Sequence, residues 1–230
     1  MDLKDKVVVI TGASKGLGEA TAEFLSKEGC KVVVSARSKD SLERLASKIN
    51  GYAVVADVRK ESDLADLASQ TVKKYGRIDI WINNAGVRIP HDIIENIDWS
   101  RAHDMMEVNY FGTAYGSKAA LKYMKQQKAG TIINILSTSA LKGNPKSSAY
   151  AASKYAQKGF TDALRNEVRE NGITVISVYP GGMKTEFFNE QVPEDFDKYM
   201  DPTSVAQKIV SNLKSEKPEE EQLLKRPANA

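Results

Sequence analysis

The sequence holds a single cysteine, Cys30, and only two histidines. One thiol cannot close an internal disulfide, and no Cys/His cluster has the spacing of zinc ligands, so a disulfide framework is excluded and no metal is expected. Long apolar runs are missing as well. No stretch approaches the roughly 18 apolar residues of a membrane span. The opening MDLKDK is charged and leads into the short run Val7–Ile10, which is too short for the core of a signal peptide. The chain is therefore expected to be cytoplasmic, with no membrane partner. A strong charge of either sign is lacking too: 33 basic and 30 acidic side chains leave a formal net charge of +3. That balance gives no reason to expect nucleic acid as a partner. With no internal repeat and no linker, residues 1–230 are expected to form one domain.

What is present is alternation. Short β-branched runs recur at Lys6–Ile10, Lys31–Ser35, Tyr52–Val55, Ile78–Ile82, Thr131–Leu136, Thr174–Tyr179 and, more weakly, Gln222–Leu224. Most are apolar throughout, which predicts strands buried on both faces. Segments of helical spacing lie between them. Leu17, Ala20, Phe24 and Leu25 make one apolar stripe, Leu42, Leu45, Ala46 and Ile49 a second, and Ala152, Ala156, Phe160, Ala163 and Leu164 a third. Strands alternating with helices imply an α/β fold: a doubly wound parallel sheet with helices on both faces. A short edge strand at about 221–226 and a frayed end should close it.

In such a fold, ligands sit outside the carboxyl ends of the strands, and the first strand-to-helix turn is the usual phosphate site. That turn reads TGASKGLG, Thr11–Gly18. Its glycines permit close backbone approach, and the amides at the helix start face an anion. The loop lacks the GxxxxGK[ST] spacing of a triphosphate site; its GxxxGxG spacing is a looser relative of the dinucleotide fingerprint. Gly12, Ser14, Lys15, Gly16, Leu17 and Gly18 are its candidate cofactor contacts. A second absence follows. The acid that would bind a ribose 2′-hydroxyl at the end of the second strand is missing, and Ala36-Arg37-Ser38 stands there instead. An arginine suits a 2′-phosphate, and Lys15 would supply a second cation, so NADP (NADPH) is expected over NAD. Solvated surface charge is the alternative for both side chains.

Tyr150 and Lys154 lie one helical turn apart on a face away from the third apolar stripe, and Ser137 follows the fifth predicted strand. In order along the chain stand TGASKGLG, Asp57-Val58, NNAG at Asn83–Gly86, Asn109 within MMEVNYFG, Ser137, Tyr150-Ala-Ala-Ser-Lys154, and Pro180-Gly181 followed by Thr185. This set resembles the short-chain dehydrogenase/reductase family from about Lys6 to Thr185. The resemblance implies a Rossmann-type domain that transfers hydride between nicotinamide and a small carbonyl or alcohol. It implies Tyr150 as general acid/base, Lys154 on the nicotinamide ribose, Ser137 on the substrate oxygen and Asn109 on a water of the proton relay. It also implies Asp57 and Val58 beside adenine, Asn83, Ala85 and Gly86 lining the cofactor, Pro180 and Gly181 near it, and Thr185 on the carboxamide.

The chemistry sets a condition on these roles. A tyrosine of ordinary pKa near 10 is a poor base at neutral pH, and lowering it by about 3 units requires roughly 4 kcal/mol. A lysine about 5 Å away supplies roughly 3 kcal/mol at an effective dielectric near 20 and under 1 in water. Lys154 can therefore help only in a partly dry cleft.

Two departures stand out. Leu136-Ser137 replaces the family's frequent Ser-Ser, with the matching serine kept. The end of the chain lacks the ITG…VDGG segment and resembles instead a subgroup acting on varied hydroxy acids and small carbonyls, which weakens the case for a 3-oxoacyl-carrier-protein reductase. The pocket is expected at Val87–His91, Ser139–Ser147 and a lid at about 182–201, where Phe187 and Phe188 either cover the nicotinamide or pack on each other. Arg88, Lys142 and Lys146 either attract an acidic substrate or are surface charges. Two other readings compete, a catalytically silent NADP(H)-binding regulator and a methyltransferase; the complete Asn109–Ser137–Tyr150–Lys154 set argues against the first, and the second leaves Tyr150, Lys154 and Arg37 unexplained. A homodimer or homotetramer through helices at Asp98–Gln126 and Ala149–Glu170 is also implied by the resemblance.

Overall fold

The computed structural model describes residues 1–226. The expected frayed end, from Pro227 on, lies outside the described residues. The elements run β1 (Val7–Thr11), α1 (Gly16–Lys27), β2 (Lys31–Ala36), α2 (Lys39–Ile49), β3 (Tyr52–Val55), α3 (Glu61–Tyr75) and β4 (Ile80–Asn83). Then follow α4 (Trp99–Met106), α5 (Gly112–Gln127), β5 (Gly130–Ile135), α6 (Ser148–Val168), β6 (Ile173–Pro180), α7 (Pro202–Lys214) and β7 (Glu221–Leu224). The strands form one sheet in the order β3-β2-β1-β4-β5-β6-β7, all pairs parallel. The winding reverses between β1 and β4, which opens a crevice at their carboxyl ends.

The apolar strands follow from burial on both faces. Along β1, Val8 and Ile10 join a core with Leu25 of α1, Leu42 of α2 and Ile209 of α7. Val9, between them, joins the opposite core with Leu64 of α3, Met124 of α5 and Leu164 of α6. A strand sandwiched this way has no face left for polar residues. The stripe Leu42, Leu45, Ala46 and Ile49 is buried as its spacing predicts, and Asn50 ends α2 in the left-handed region at φ 51°. Asp201 starts α7, its carboxylate accepting from the Thr203 amide at 2.7 Å, with Pro202 in the first turn.

Three helices depart from the pattern. In α1 the buried face includes Thr21, whose hydroxyl donates back to the Leu17 carbonyl at 2.7 Å, while Ala20 and Phe24 are only half-buried. The long helix expected at Asp98–Gln126 is broken by a π turn at Glu107–Phe111, between α4 and α5. That wider turn carries Asn109, which is fully buried. The departure in α6 is larger. Its predicted apolar stripe is split: Leu164 is buried in the core and the half-buried Phe160 packs against it, whereas Ala152 and Ala163 are exposed and Ala156 half-buried. The buried face also carries Ser153, Lys154, Gln157 and Thr161, beside Ala151, Leu164 and Val168. It can do so because each polar group finds a partner inside, as with Asn134, whose amide donates to Thr161 at 2.9 Å.

Among the described residues no helix is long and apolar enough to cross a membrane, and no group of three or more His, Cys, Asp or Glu could hold a metal ion. Cys30 is half-buried, and burial pushes its thiol up to about 12, so it is an unreactive thiol.

Candidate active site

The loops leaving β1 and β4 are stapled together. The Asn84 side-chain amide donates to the Thr11 and Gly12 carbonyls at 2.9 and 3.0 Å, and the Asn84 and Ala85 amides reach the Thr11 hydroxyl at 3.2 and 3.3 Å. This contact explains Gly12, whose φ is 63° and whose Cβ, if present, would lie 2.7 Å from the Ala85 backbone. At Gly18 a Cβ would lie 2.9 Å from the Ala13 Cα. Lys15 precedes α1 without capping it through its side chain, so the first amides of the helix stay open toward the crevice. Leu17 is buried and Ser14 half-buried. Thr185 lies over the loop: a Cβ at Gly16 would meet its methyl at 3.3 Å. The result is a backbone cradle with a helix N-terminus behind it, which fits a bound phosphate.

The two cations expected to share a 2′-phosphate behave differently. Arg37 is exposed at the end of β2 and makes no salt bridge among the described residues, with Ser38 exposed beside it. Lys15 instead pairs with Glu186, from the segment after β6, at 2.5 Å, with both side chains well exposed. An exposed pair of this kind is worth about 0–1 kcal/mol, so the lysine is engaged but easily released. Asp57 would oppose an anion, yet Arg59 neutralises it. The Arg59 guanidinium grips that carboxylate at 2.6 to 3.1 Å, and this hydrogen bonding holds Asp57 below the usual range. Val58 faces α5, where a Cβ at Gly112 would lie 2.9 Å from its Cγ2.

Tyr150, on the first turn of α6, meets Ser137 at the carboxyl end of β5, and Lys154 lies one turn further on. Burial pushes the Tyr150 phenol up to about 12, while the neighbouring Ser137 hydroxyl and then the Arg88 cation pull the other way. The Lys154 ammonium is 2% exposed, and burial pushes it down to about 7. It donates to the Ile135 carbonyl at 3.2 Å and to Gln157 Oε1 at 2.8 Å. Gln157, fully buried, donates in turn to the Thr113 hydroxyl at 2.8 Å, and Thr113 donates to the Asn109 carbonyl at 2.9 Å. Gly86 passes over this row, since a Cβ there would stand 3.8 Å from the Lys154 Nζ. Lys154 sits in the dry part of the cleft, where desolvation disfavours the very charge the sequence argument relies on, while Tyr150 is half-buried; in the protein alone the site favours the neutral phenol.

Two amides expected to face a ligand are consumed by the protein. Asn83 is buried: its oxygen accepts from the Trp81 indole at 2.8 Å, and its nitrogen donates to Ser117 at 3.0 Å and to Asn134 at 2.8 Å. Only its backbone is left for a cofactor. Asn109 holds Val87 through a pair of bonds, accepting from its amide at 2.9 Å and donating to its carbonyl at 3.0 Å, and it donates to Ser153 at 3.0 Å. Its side chain therefore fixes the loop after β4, and what remains for a water is its carbonyl oxygen. Sequence reasoning missed Asn84, Ser153, Gln157 and Arg59. Asn84 lay in plain view inside NNAG, and Gln157 sits three residues after Lys154 on the same helix face.

The segment after β6 is stitched at its base, where the Met200 amide donates to the Gly182 carbonyl at 3.0 Å and the Lys184 amide to the Met200 carbonyl at 2.8 Å. Pro180 ends β6, and the Gly181 amide donates to the Leu224 carbonyl at 2.9 Å. Its two phenylalanines pack on each other edge-on, with ring centres 5.5 Å apart. Phe187 stands edge-on to Tyr150 at 6.1 Å, whereas Phe188 packs with Phe196 and Tyr199 at 6.0 and 5.0 Å. Outside the site, α5 and α6 leave an open groove lined by Tyr110, Phe111, Tyr115, Leu121 and Phe160.

Comparison with known proteins gives one answer from three directions. A family model described as short chain dehydrogenase matches residues 6–195. An uncharacterized oxidoreductase of Staphylococcus saprophyticus is 35% identical, over 95% of this chain and 93% of that protein. Among solved structures, an alcohol dehydrogenase from the archaeon Thermococcus sibiricus, complexed with 5-hydroxy-NADP, has a TM-score of 0.90 at 26% identity over 98% of this chain and 100% of that one. A 3-ketoacyl-(acyl-carrier-protein) reductase from Brucella melitensis, complexed with NADH, has a TM-score of 0.90 at 28% identity over 97% of this chain and 98% of that one.

Proposed function

Because the chain belongs to the short-chain dehydrogenase family and is an oxidoreductase of that family, we propose that it reduces a small carbonyl compound with NADPH, Tyr150 giving the proton. One observation carries this reading: a phenol held protonated, beside the Ser137 hydroxyl and one helical turn from a buried lysine. Bound NADPH supplies the hydride. Ser137 and Tyr150 orient the carbonyl oxygen between two hydroxyls, and the phenol protonates that oxygen as negative charge develops on it. Phe187 keeps water from the reacting side of the ring. Gln157 and Thr113 hold Lys154 and the Asn109 carbonyl in place, and a water held by that carbonyl would return a proton through the Lys154 amine toward the tyrosine.

The cradle formed by Gly12, Ser14, Lys15, Gly16, Leu17 and Gly18 takes the pyrophosphate. Ala85 and Gly86 line the nicotinamide half with Pro180, Gly181 and Thr185, and Lys154 meets its ribose. The backbone of Asn83 belongs to the same wall. Asp57 and Val58 border the adenine. Arg37, with Ser38 beside it, meets the 2′-phosphate; Lys15 joins after releasing Glu186. Neutralisation of Asp57 by Arg59 supports NADP(H) here, since it offsets a carboxylate that would repel the phosphate.

Initial rates with NADPH and NADH over a panel of ketones, oxo acids and sugars test both parts. NADPH binding without turnover of any compound would favour the silent regulator instead. Ala36→Asp combined with Arg37→Gln should lower the NADPH/NADH ratio of kcat/KM by about 10²-fold, the scale of a lost charge-assisted hydrogen bond plus a new like charge. An unchanged ratio would remove Arg37 from cofactor recognition.

The outward apolar face of α6 supports a homo-oligomer, because a half-buried Phe160 and an alanine row beside the groove of α5 suit a matching helix pair. Ala152→Arg, at an exposed position that costs the monomer little, should lower the mass found by sedimentation velocity to that of the monomer. An unchanged sedimentation coefficient would move the interface elsewhere.

A further inference from the structure

The loop after β4 passes in front of Tyr150, and in it Arg88 is half-buried. Its guanidinium lies 4.8 Å from the centre of the Phe188 ring. Nη2 donates to Gln191 Oε1 at 2.8 Å, and longer bonds of 3.4 Å run from Nη1 to the Gln191 carbonyl and from Nε to the Ile89 carbonyl. All three acceptors are neutral. The neighbouring carboxylate, Glu190, is taken by Arg101 at 2.7 Å. Among the described residues, then, Arg88 has no ion-pair partner, and burial pulls its pKa below the ordinary value. Lys142 and Lys146, by contrast, are exposed and solvated.

A cation withdrawn from water and given only neutral partners carries an uncompensated desolvation cost. An anion arriving beside it recovers that cost and gains two parallel hydrogen bonds if its oxygens are planar. A single positive charge suits a monoanion better than a phosphate dianion. A row of rings joins Arg88 to Tyr150: the guanidinium lies over Phe188, Phe188 is 5.5 Å from Phe187, and Phe187 stands 6.1 Å from Tyr150. One small molecule can therefore touch both, with Phe187 covering the carbon chain between them.

We propose that Arg88 binds a carboxylate of the substrate, which makes the substrate a short oxo acid held at its acid end while Tyr150 reaches the carbonyl oxygen. The inference rests on the reading of Tyr150 as proton donor. In the reductive direction the carbonyl carbon gains a hydride from the nicotinamide, its oxygen gains the phenolic proton, and the carboxylate is unchanged. Gln191 and Phe188 fix the guanidinium from the lid side, so the same loop that covers the site sets the position of the cation.

The test compares short oxo acids with their methyl esters as substrates of the wild type, Arg88→Gln and Arg88→Lys, using kcat/KM with NADPH. The acid/ester ratio should exceed ten in the wild type, fall about 10- to 100-fold in Arg88→Gln, and recover in part in Arg88→Lys. In parallel, ligand-observed NMR should detect butyrate but not butyramide on the wild type, and neither on Arg88→Gln. Esters turned over as well as acids, or a ratio that Arg88→Gln leaves in place, would overturn the inference while leaving the dehydrogenase reading intact. Butyrate bound through Arg88 with no carbonyl compound reduced would do the reverse, supporting the anion site and sinking the reading of Tyr150.

Discussion

Tyr150→Phe lowers kcat by about 10²–10⁴-fold, the range that a positioned proton donor supplies, and leaves NADPH affinity within about twofold. The phenol is the group that gives the proton, and its replacement removes one oxygen and little else. The ring keeps its edge-on contact with Phe187, 6.1 Å away, and the Ser137 hydroxyl keeps the bond it accepts from the Ser139 amide at 3.1 Å. Because the lost interaction matters as charge develops on the carbonyl oxygen, kcat and kcat/KM should fall together, with KM little changed. Stopped-flow transfer of hydride and equilibrium titration of NADPH separate the two effects. Retained turnover would take Tyr150 out of the mechanism, and a matching loss of NADPH affinity would make it a binding residue.

Lys154→Met has two effects of different origin. Turnover falls by about 10²–10³-fold, as expected when one preorganised electrostatic group is removed from a dry site. Stability changes its pH dependence. Burial lowers the Lys154 pKa from the ordinary 10.5 to about 7 in the folded protein. Between those values the unfolded chain binds a proton that the native protein does not, so native stability rises with pH across this window. Below it both states are charged, and the cost of burying the ammonium is felt in full. The variant has no such group. The stability of the wild type relative to Lys154→Met should therefore climb from about pH 7 upward by at most about 1.4 kcal/mol per pH unit. Gln157 Oε1 loses its donor in the variant, a cost of about 1–3 kcal/mol that does not depend on pH. The slope thus carries the prediction, and urea midpoints at pH 6 and pH 9 for both proteins measure it. Tyr150, raised by burial, enters the comparison only above its ordinary value of 10. Parallel profiles would mean that Lys154 is not buried as a neutral amine near neutral pH.

The same two residues show how far the sequence could be read. The spacing of Tyr150 and Lys154 puts them on one face of a helix wherever that helix packs, and α2 buries the four residues its periodicity names. Periodicity succeeded only in part in α6, for a physical reason. It assumes that the buried face is apolar throughout, whereas here Leu164 and Val168 share that face with polar groups satisfied by Asn134, Thr113 and the Ile135 carbonyl, groups far away in the chain. Asn83 and Asn109 show the same limit. Their residue type suits a ligand, but whether an amide is free for one depends on what its neighbours in space already take. Lys15 belongs here too, since its partner Glu186 lies 171 residues further on.

By itself the sequence determined the parallel α/β architecture and the glycine-rich turn after β1, because these rest on local rules: strand burial and glycine at tight turns; the family, and with it the proposed reactive set, came from the resemblance of its motifs. Only the tertiary structure decided the state of each group in the set. It buried Lys154 with neutral acceptors, kept the Tyr150 phenol protonated, spent Asn83 and Asn109 on holding loops, and left Arg88 half-dry without an anion. Protonation, pairing and desolvation are set by everything within a few ångströms, and those neighbours come from distant parts of the chain.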